Sequence, residues 1–192
     1  MDSVHVPESK KNAQEEEALI VYEDEAFFRQ TPTLHWTWAR RNSQPTVPSE
    51  GTRNTQKIFG AVAPHTAQFI YHDTEKSFNS ETYIEFLDDH LLPAFYRQSH
   101  RIYLIQDNAS YHKKVETYDW FQAHRKYIEV FNLPPYSPEL NAEERLWHYT
   151  RMQATHNRYF DTKEMLRKEL FAAFKRMQDN PKSIEGLLRP FC

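Results

Sequence analysis

The sequence predicts an α/β domain in which a mixed β-sheet carries helices on its faces. The order of the segments is the first observation: strand-like segments come first, and helical and strand-like segments then alternate. The second is a continuous apolar run at residues 102–105, which is typical of a strand buried on both faces of a sheet. The third is length, because 192 residues are enough for one sizeable domain and hardly enough for two.

Strand patterns dominate the first half of the chain. Residues 1–17 are polar and end in three consecutive glutamates, so we expect a flexible tail before a single domain that covers residues 18–192. The segment ALIVYEDEAFF, from residue 18, predicts a strand whose apolar start gives way to acidic residues. The segments KIFGAVAPH and AQFIYHD are short and apolar, and together they predict a hairpin.

Helical periodicity dominates the second half. SETYIEFLDDHLLPAFYR predicts a helix with Ser80 as its N-cap, and the strand of the apolar run follows it. VETYDWFQAHR predicts a second helix, and IEVFNLPP predicts a short strand that two prolines end. A third helix is expected from Asn141, whose spacing to Glu144 fits a capping box. The last predicted helix, TKEMLRKELFAAFKRMQ, turns five apolar side chains toward a core: Met165, Leu166, Leu170, Phe174 and Met177.

Composition argues against several classes of protein. No apolar run approaches the roughly 20 residues that span a bilayer, and residues 1–17 lack the apolar core of a secretory signal. The single cysteine, Cys192, rules out a disulfide framework and a cysteine-based zinc site within one chain, which favours a reducing, cytoplasmic location. The three glycines form no phosphate-binding loop, and a net charge of −3 argues against binding nucleic acid by bulk charge alone.

Three acidic residues stand at the ends of three predicted elements. Asp24 follows the apolar part of the first strand, Asp107 follows the strand of the apolar run, and Glu144 lies in the first turn of the third helix. In open α/β sheets, ligands gather at strand ends, near the point where the strand order reverses. Neighbouring strands could therefore bring Asp24 and Asp107 together, with Glu144 added by a helix that crosses nearby. Strand alternation places Asp24 on one face of its strand and Glu23 and Glu25 on the other.

Such a cluster predicts a site for divalent metal ions. Like charges about 4 Å apart repel by about 4 kcal/mol at an effective dielectric of 20, so the carboxylates would protonate, separate or bind a cation. Ligands that are all oxygen favour Mg²⁺, with Mn²⁺ as a substitute. Two such ions activate an attacking oxygen and stabilise the leaving oxygen in phosphodiester displacement. The alternatives are a turn-forming Asp107, a set of solvated charges formed by Glu23 and Glu25 beside Asp24, and a Glu144 that only caps its helix.

Three blocks of the sequence resemble one known family. VYEDEAFF, YLIQDNASYHK and FNLPPYSPELNAEERLW are similar to the catalytic domain of mariner-like insertion-sequence transposases, which belong to the DDE superfamily. The resemblance covers residues 18 to about 175, which is nearly the whole chain. The third block is the most specific, since these of its residues fall in step with the family pattern: Tyr136, Ser137, Pro138, Leu140, Asn141, Glu144 and Trp147.

The resemblance implies a fold, an activity and a set of site residues. The fold is RNase H-like, as in retroviral integrases, with a three-stranded antiparallel start, parallel strands after it and helices on both faces. The activity is divalent-metal-dependent cutting of DNA at the ends of a mobile element, followed by joining of the freed 3′-hydroxyl to target DNA. Asp24, Asp107 and Glu144 match the catalytic, metal-binding triad, which would hold two Mg²⁺ ions or Mn²⁺ in their place. Asn108 and His112 match positions that frame the second acid, where we expect them to support it or to contact DNA.

Two departures from the family pattern leave alternatives open. Ala142 and Glu143 replace the Pro-Ile pair that precedes the third acid in the family, so Glu143 is an alternative third acid. Family members also carry helix-turn-helix DNA-binding modules before the catalytic domain, and this chain begins at the catalytic domain. We therefore expect either a fragment or one of two reading frames, whose partner or frameshift fusion supplies recognition of the element ends. A homodimer is expected as well, because two ends must be held together.

Basic residues near the expected site are candidates for contacts with DNA. Lys113 and Lys114 follow the second acid, and Arg40 and Arg41 lie beside a proline-containing loop, where a solvated side chain is the ordinary interpretation. Two other functions fit the same residues. One is an RNase H-like nuclease that hydrolyses DNA without joining strands, and the other is a non-catalytic remnant that only assembles with a partner.

Overall fold

A computed structural model describes residue 13 and residues 15–49, 51, 54–96 and 101–192 of the chain. The strands are β1 (Leu19–Arg29), β2 (Thr55–Ala63), β3 (Gln68–Thr74), β4 (Ile102–Gln106) and β5 (Ile128–Asn132). The α-helices are α1 (Ser80–Phe86), α2 (Leu92–Phe95), α3 (Val115–His124), α4 (Ala142–Thr150), α5 (Lys163–Asp179) and α6 (Lys182–Leu188). π-Helical turns at Leu87–Leu91 and Arg151–Thr155 continue α1 and α4, and 3₁₀ turns lie at Ser110–Lys113, Pro138–Leu140 and Arg189–Phe191.

The strands form one mixed sheet in the order β3-β2-β1-β4-β5. β2 runs antiparallel to both β1 and β3, whereas β4 runs parallel to both β1 and β5. This arrangement confirms the predicted hairpin and the antiparallel start followed by parallel strands. It also places β1 beside β4 at the centre of the sheet, where the strand order reverses and ligands are expected to bind.

Helices cover both faces of the sheet. Tyr22 points to the face where α4, α5 and α6 pack, and it shares a buried apolar cluster with Phe174 of α5. Val21 points to the opposite face, where it shares a second cluster with Phe86 of α1 and Trp120 of α3. Every residue of β4 is buried, as the apolar run predicts for a central strand between two helical layers.

Local side-chain chemistry sets the starts of two helices. The carboxamide of Asn79 accepts a hydrogen bond from the backbone N–H of Thr82 (3.0 Å), so Asn79 caps α1 and the predicted cap, Ser80, is wrong by one residue. α5 follows the side chain of Thr162, which accepts a hydrogen bond from the backbone N–H of Met165 (3.2 Å).

The apolar face of α5 is narrower than predicted. Leu166, Leu170, Phe174 and Met177 are buried, but Met165 is exposed, so its predicted place in the core is wrong. Met165 comes one residue before the first member of the buried stripe and is therefore rotated about 100° away from it. Of the helices in the described ranges, none has both the length and the apolar character that crossing a bilayer demands.

Only the end of the predicted polar tail can be placed. Residues 1–12 and 14 lie outside the described residues. Ala13 is buried, and its carbonyl accepts a hydrogen bond from the backbone N–H of Ala18 (2.8 Å). Glu16 forms an ion pair with Arg101 (2.7 Å), just before β4, so Ala13 and Glu16 both contact the domain.

Candidate active site

Two of the three acids meet beside the carboxyl end of β4, next to the middle of β1. The predicted position of Asp24 at the end of its strand is wrong, because β1 continues to Arg29 through its pairing with β2. These strands are parallel neighbours, and Tyr22 pairs with Ile105 in their register. Asp24 and Asp107 each lie two residues farther along, which brings them to the same edge and the same face of the sheet. Asp24 is nearly buried, at 9% exposure, whereas 51% of the Asp107 side chain is exposed.

The third acid comes from the first turn of α4. The side chain of Asn141 caps this helix by accepting a hydrogen bond from the backbone N–H of Glu143 (3.1 Å). Its amide group also donates to the backbone carbonyl of Glu23 (3.3 Å), which ties the start of α4 to β1. Glu144, in that first turn, is exposed and faces the same cleft as Asp24 and Asp107.

One cleft of about 460 Å³ is lined by all three predicted acids, Asp24, Asp107 and Glu144. The structure therefore brings together residues that are as much as 120 positions apart in the sequence. The remaining lining comes from the segments after β4 and β5 and from the start of α4: Asn108, Ala109, Lys113, Leu133, Pro134, Pro135, Tyr136, Ser137, Pro138 and Asn141.

Trp147 fixes the position of Asp24. Its indole Nε1–H donates a hydrogen bond to Asp24 Oδ2 (3.0 Å) from within the core between α4 and the sheet. Gly60, which pairs with Asp24 across β1 and β2, makes room for the indole, since a Cβ there would lie 2.4 Å from the Trp147 ring. This role was not predicted, although a glycine inside a strand signals close approach and Trp147 follows Glu144 by three residues on one helix face.

The pKa values of Asp24 and Asp107 are shifted in opposite directions. Burial raises the pKa of Asp24 well above its usual value, and the nearby carboxylates of Glu25, Glu144 and Asp107 raise it further. The hydrogen bond from Trp147 lowers this pKa but does not cancel the rise. Burial would also raise the pKa of Asp107, but His112 and the backbone N–H of Ala109 lower it below its usual value. Asp107 is therefore readily ionised, whereas Asp24 needs a nearby positive charge.

Glu143 and Glu144 occupy different environments. Glu143 is fully buried, does not line the cleft, and has no hydrogen-bond partner for either carboxylate oxygen among the described residues. Burial, together with the charges of Asp24 and Glu144, raises the pKa of Glu143 well above its usual value. Of the two neighbours, Glu144 is therefore the one whose carboxylate can reach a ligand in the cleft.

The other predicted site residues divide into two groups. Asn108 and Lys113 line the cleft, and the amide group of Asn108 donates to the backbone carbonyl of Leu133. Lys114, Arg40 and Arg41 are exposed, and none of the three lines the cleft.

His112 is buried behind Asp107, which leaves it no surface for a contact with DNA. Its Nδ1 lies 3.3 Å from Asp107 Oδ1, and its Nε2 lies 3.3 Å from Glu25 Oε1 and 3.9 Å from Glu23 Oε2. Burial would lower the pKa of His112, but the carboxylates of Asp107 and Glu25 raise it to about 9. Glu23 and Glu25 are themselves buried side chains here, so the interpretation of these acids as solvated charges is wrong.

The donors in the cleft suit a hard divalent cation. Asp24, Asp107 and Glu144 offer only oxygen atoms, and the buried Asp24 faces several like charges. A dication would offset that repulsion, so these residues could hold Mg²⁺ or Mn²⁺. A second group of possible ligands, Glu23, Glu25 and His112, lies on the opposite face of β1.

Sequence comparison finds relatives of this chain among mobile-element proteins. Residues 19–167 match the family model described as DDE superfamily endonuclease. The chain is 28% identical over 170 residues to the insertion element IS630 uncharacterized 39 kDa protein of Shigella sonnei. That alignment covers 88% of this chain and 48% of the relative, so the chain spans about half the length of the curated relative that it matches.

Solved structures share the fold. The Mos1 mariner paired-end complex with Mn matches 97% of this chain and 59% of that chain, with a TM-score of 0.69 and 17% identity. The catalytic domain of Mos1 mariner transposase matches 97% of this chain and 85% of that chain, with a TM-score of 0.61 and 16% identity. These matches confirm the predicted RNase H-like architecture. Since the family model covers most of its length, the chain belongs to the DDE superfamily of endonucleases.

Proposed function

We propose that this chain is the catalytic domain of a DNA transposase. It cleaves phosphodiester bonds at the ends of a mobile element and joins the freed 3′-hydroxyl to target DNA. The observation that carries the proposal is a single cleft lined by Asp24, Asp107 and Glu144. Membership of the DDE superfamily supports it, as does the similarity to a protein of insertion element IS630.

The three carboxylates would hold two metal ions, either Mg²⁺ or Mn²⁺. When bound, the ions supply positive charge that activates the attacking oxygen and stabilises the leaving oxygen. An all-oxygen donor set favours these ions, and Mos1 transposase has been solved in complexes with Mn and with Mg. Asp24, Asp107 and Glu144 are the proposed ligands, with Glu144 favoured over Glu143 because it lines the cleft.

Neighbouring residues preorganise two of the three acids before substrate binds. Trp147 orients Asp24, and the backbone N–H of Ala109 (2.7 Å) and His112 orient Asp107. Preset ligands need little reorganisation as charge develops, which is the main way in which a polar site lowers a barrier. In the first reaction, water bonds to phosphorus and the 3′-oxygen leaves. In the second, that 3′-hydroxyl bonds to a target phosphorus and displaces a target oxygen.

The proposed substrate is DNA. Lys113 lines the cleft beside Asp107, where its ammonium group would contact a backbone phosphate, and Asn108 frames the same wall. Mos1 has been solved in a paired-end complex with its left transposon end, which supports DNA as the ligand. The similarity to a protein of Shigella sonnei supports a bacterial host, so the proposed place of action is the nucleoid, in the cytoplasm.

We also propose that the protein works as a homodimer, which can hold two element ends. Trp36 and Trp38 support a protein or nucleic-acid contact, since they are 96% and 101% exposed, and an aromatic ring is stabilised when it leaves water. They lie beside Arg40 and Arg41, whose charges suit phosphates. A separate or frameshift-fused DNA-binding segment that recognises the ends stays a prediction.

The first experiment measures Mn²⁺ binding by calorimetry. Asp107→Asn and Glu144→Gln should each weaken binding at least about tenfold and abolish DNA cleavage, because each removes a charged ligand. The matched control is Asp119→Asn, an exposed acid on α3, which should change neither property. Full cleavage by Asp107→Asn would refute the assignment.

The second experiment separates a transposase from a nuclease. The wild type is incubated with pre-cut element ends, a circular target and Mn²⁺, with the separate end-recognition segment added where it is known. Joined product supports strand transfer. Hydrolysis without joined product supports the nuclease alternative, and the absence of both together with intact metal binding supports a non-catalytic remnant.

A further inference from the structure

A second cluster of potential metal ligands lies on the face of β1 opposite the cleft. Alternation along β1 turns Glu23 and Glu25 away from Asp24, toward the layer that contains α1 and α3. His112, from the 3₁₀ turn after β4, reaches the same space. The side chains of Glu23, Glu25 and His112 are only 0%, 8% and 1% exposed.

The spacing of the donor atoms is close to that of a coordinated ion. His112 Nε2 lies 3.3 Å from Glu25 Oε1 and 3.9 Å from Glu23 Oε2, and one donor atom from each residue lies within 4.8 Å of the others. Around an ion with metal–ligand distances of about 2.0–2.2 Å, adjacent donors lie about 3.0–3.5 Å apart. The separation between His112 and Glu25 lies in that range, and the separation between His112 and Glu23 is about 0.4 Å longer than its upper end.

The buried carboxylate of Glu23 points independently to a ligand. Its side chain is fully buried, and neither carboxylate oxygen has a hydrogen-bond partner within the described part of the chain. An uncompensated buried carboxylate is strongly unfavourable unless a cation or a proton offsets its charge. Glu25, by contrast, accepts a hydrogen bond from the hydroxyl of Tyr111.

His112 has the outer-shell contact that is usual for a metal-ligating histidine. Its Nδ1 faces the backbone carbonyl and the carboxylate of Asp107, both at 3.3 Å, and its Nε2 faces the two glutamates. Ligating histidines commonly donate their second ring N–H to a carboxylate or a carbonyl, which fixes the tautomer and the ring orientation. The Tyr83 ring, 4.4 Å from the imidazole ring, covers the cluster.

We propose that Glu23, Glu25 and His112 form a second, structural metal site that binds one Zn²⁺. A donor set of one imidazole and two carboxylates suits Zn²⁺, whereas the all-oxygen cleft suits Mg²⁺. The ion would tie the 3₁₀ turn after β4 to β1. It would also fix His112, and through it the orientation of Asp107, without lining the cleft itself.

The experiment uses the full chain carrying Asp24→Asn and Glu144→Gln, so that the cleft loses two of its three carboxylates while the contact between Asp107 and His112 stays. After chelator treatment, Zn²⁺ is titrated by calorimetry, and the melting temperature is measured with and without Zn²⁺. We expect one bound equivalent and a rise in melting temperature with Zn²⁺. Mg²⁺ and Mn²⁺ titrations serve as comparisons and should bind more weakly.

Two further variants and a control decide the outcome. Glu23→Gln, which preserves the size of the side chain, and His112→Ala should each weaken Zn²⁺ binding about 100-fold or more and remove the thermal shift. The control, His65→Ala, removes an exposed histidine from the β2–β3 turn and should change neither. If His112→Ala does not fold, Glu23→Gln decides alone.

The proposal is overturned if Zn²⁺ does not bind, or if Glu23→Gln binds it as tightly as the parent. A variant Glu23→Gln that melts higher than its parent, with Zn²⁺ giving no shift in either, would show that a proton and not an ion offsets the buried charge. DNA cleavage is no part of the readout, so the failure of this site would leave the proposed transposase activity untouched.

Discussion

Trp147→Phe isolates the hydrogen bond that orients Asp24. Phenylalanine keeps an aromatic ring against Phe28 and Phe174, but it cannot donate to Asp24 Oδ2, which now receives the indole Nε1–H at 3.0 Å. Asp24 is nearly buried, so its lost partner is not replaced easily by water. The substitution should therefore destabilise the fold most strongly when Asp24 is ionised.

The magnitude follows from the charge on the acceptor. A hydrogen bond to a charged group contributes about 1.5–3 kcal/mol, and one to a neutral group about 0.5–1.5 kcal/mol. The Trp147 hydrogen bond lowers the pKa of Asp24, which burial and neighbouring carboxylates raise. Removing it should raise that pKa further. The coupling between the two side chains should thus grow from about 1 kcal/mol in acid to about 2–3 kcal/mol once Asp24 loses its proton.

A double-mutant cycle measures this coupling. Urea denaturation of the wild type, Trp147→Phe, Asp24→Ala and the double variant, each at acidic and alkaline pH, gives the interaction energy without the packing loss of the smaller ring. A coupling below about 0.5 kcal/mol at alkaline pH, or one that does not change with pH, would refute the reasoning.

Three further predictions concern buried groups near the cleft. Glu143→Ile should raise the free energy of unfolding by about 1–3 kcal/mol, because it removes a buried carboxylate that has no hydrogen-bond partner among the described residues. Glu144→Gln should leave the free energy of unfolding nearly unchanged and abolish cleavage. Urea denaturation and a cleavage assay compare the two, and retained cleavage by Glu144→Gln with loss in Glu143→Ile would reverse their roles. Gly60→Ala should lower the free energy of unfolding by about 1–3 kcal/mol, since its Cβ would meet the Trp147 ring at 2.4 Å. The control is Gly186→Ala on α6, whose Cβ would meet no described residue within 4 Å, so it should be neutral or stabilising by up to about 1 kcal/mol. Equal losses in the two variants would contradict the steric argument. In the presence of a chelator, the free energy of unfolding should fall as the pH rises above about 4, by up to about 1.4 kcal/mol per pH unit for each buried acid. The reason is that an acid with a raised pKa binds more protons in the folded state than in the unfolded state. The acids concerned are Glu23, Asp24 and Glu143. Denaturation over a pH series checks this slope, and a rising stability would contradict it.

The elements of the sheet were predictable because their patterns are local. The run at residues 102–105 is apolar at each position, and β4 is buried along its whole length. The hairpin follows from two short apolar segments that adjoin a turn, and the last long helix follows from a period of 3.6 residues. Met165 shows the limit, because a periodic pattern fixes the centre of an apolar stripe more firmly than its edges.

The meeting of the acids was predictable for a related reason. β1 and β4 are parallel neighbours, so their register brings Asp24 and Asp107 together at the edge where β4 ends, whatever the loops do. The sequence could not show which of Glu143 and Glu144 turns toward that edge, since the capping residue and the packing of Trp147 set the rotation of α4. That rotation depends on tertiary contacts, which no local pattern contains.

Burial of Glu23 and Glu25 was beyond local reasoning as well. Alternation placed both on the face opposite Asp24, and that part of the prediction agrees with their contacts to His112. Whether such a face is solvated depends on what covers it, and here α1, α3 and the turn that carries His112 do. The acidic residues of the first strand thus predicted a site, but they did not predict that Glu23 and Glu25, on the opposite face of that strand, are buried.

Asp24 and Asp107 are held from opposite sides of the sheet, so substitutions in the two helical layers should affect different acids of the cleft. Asp24 depends on Trp147, which belongs to the layer of α4, whereas Asp107 depends on His112, which contacts Glu25 in the other layer. A change in one layer should therefore disturb one acid and leave the other in place. Since both acids would share the same metal ions, either disturbance alone should weaken metal binding. The effects of the two disturbances should be coupled rather than additive, because the ions are a partner that both acids share.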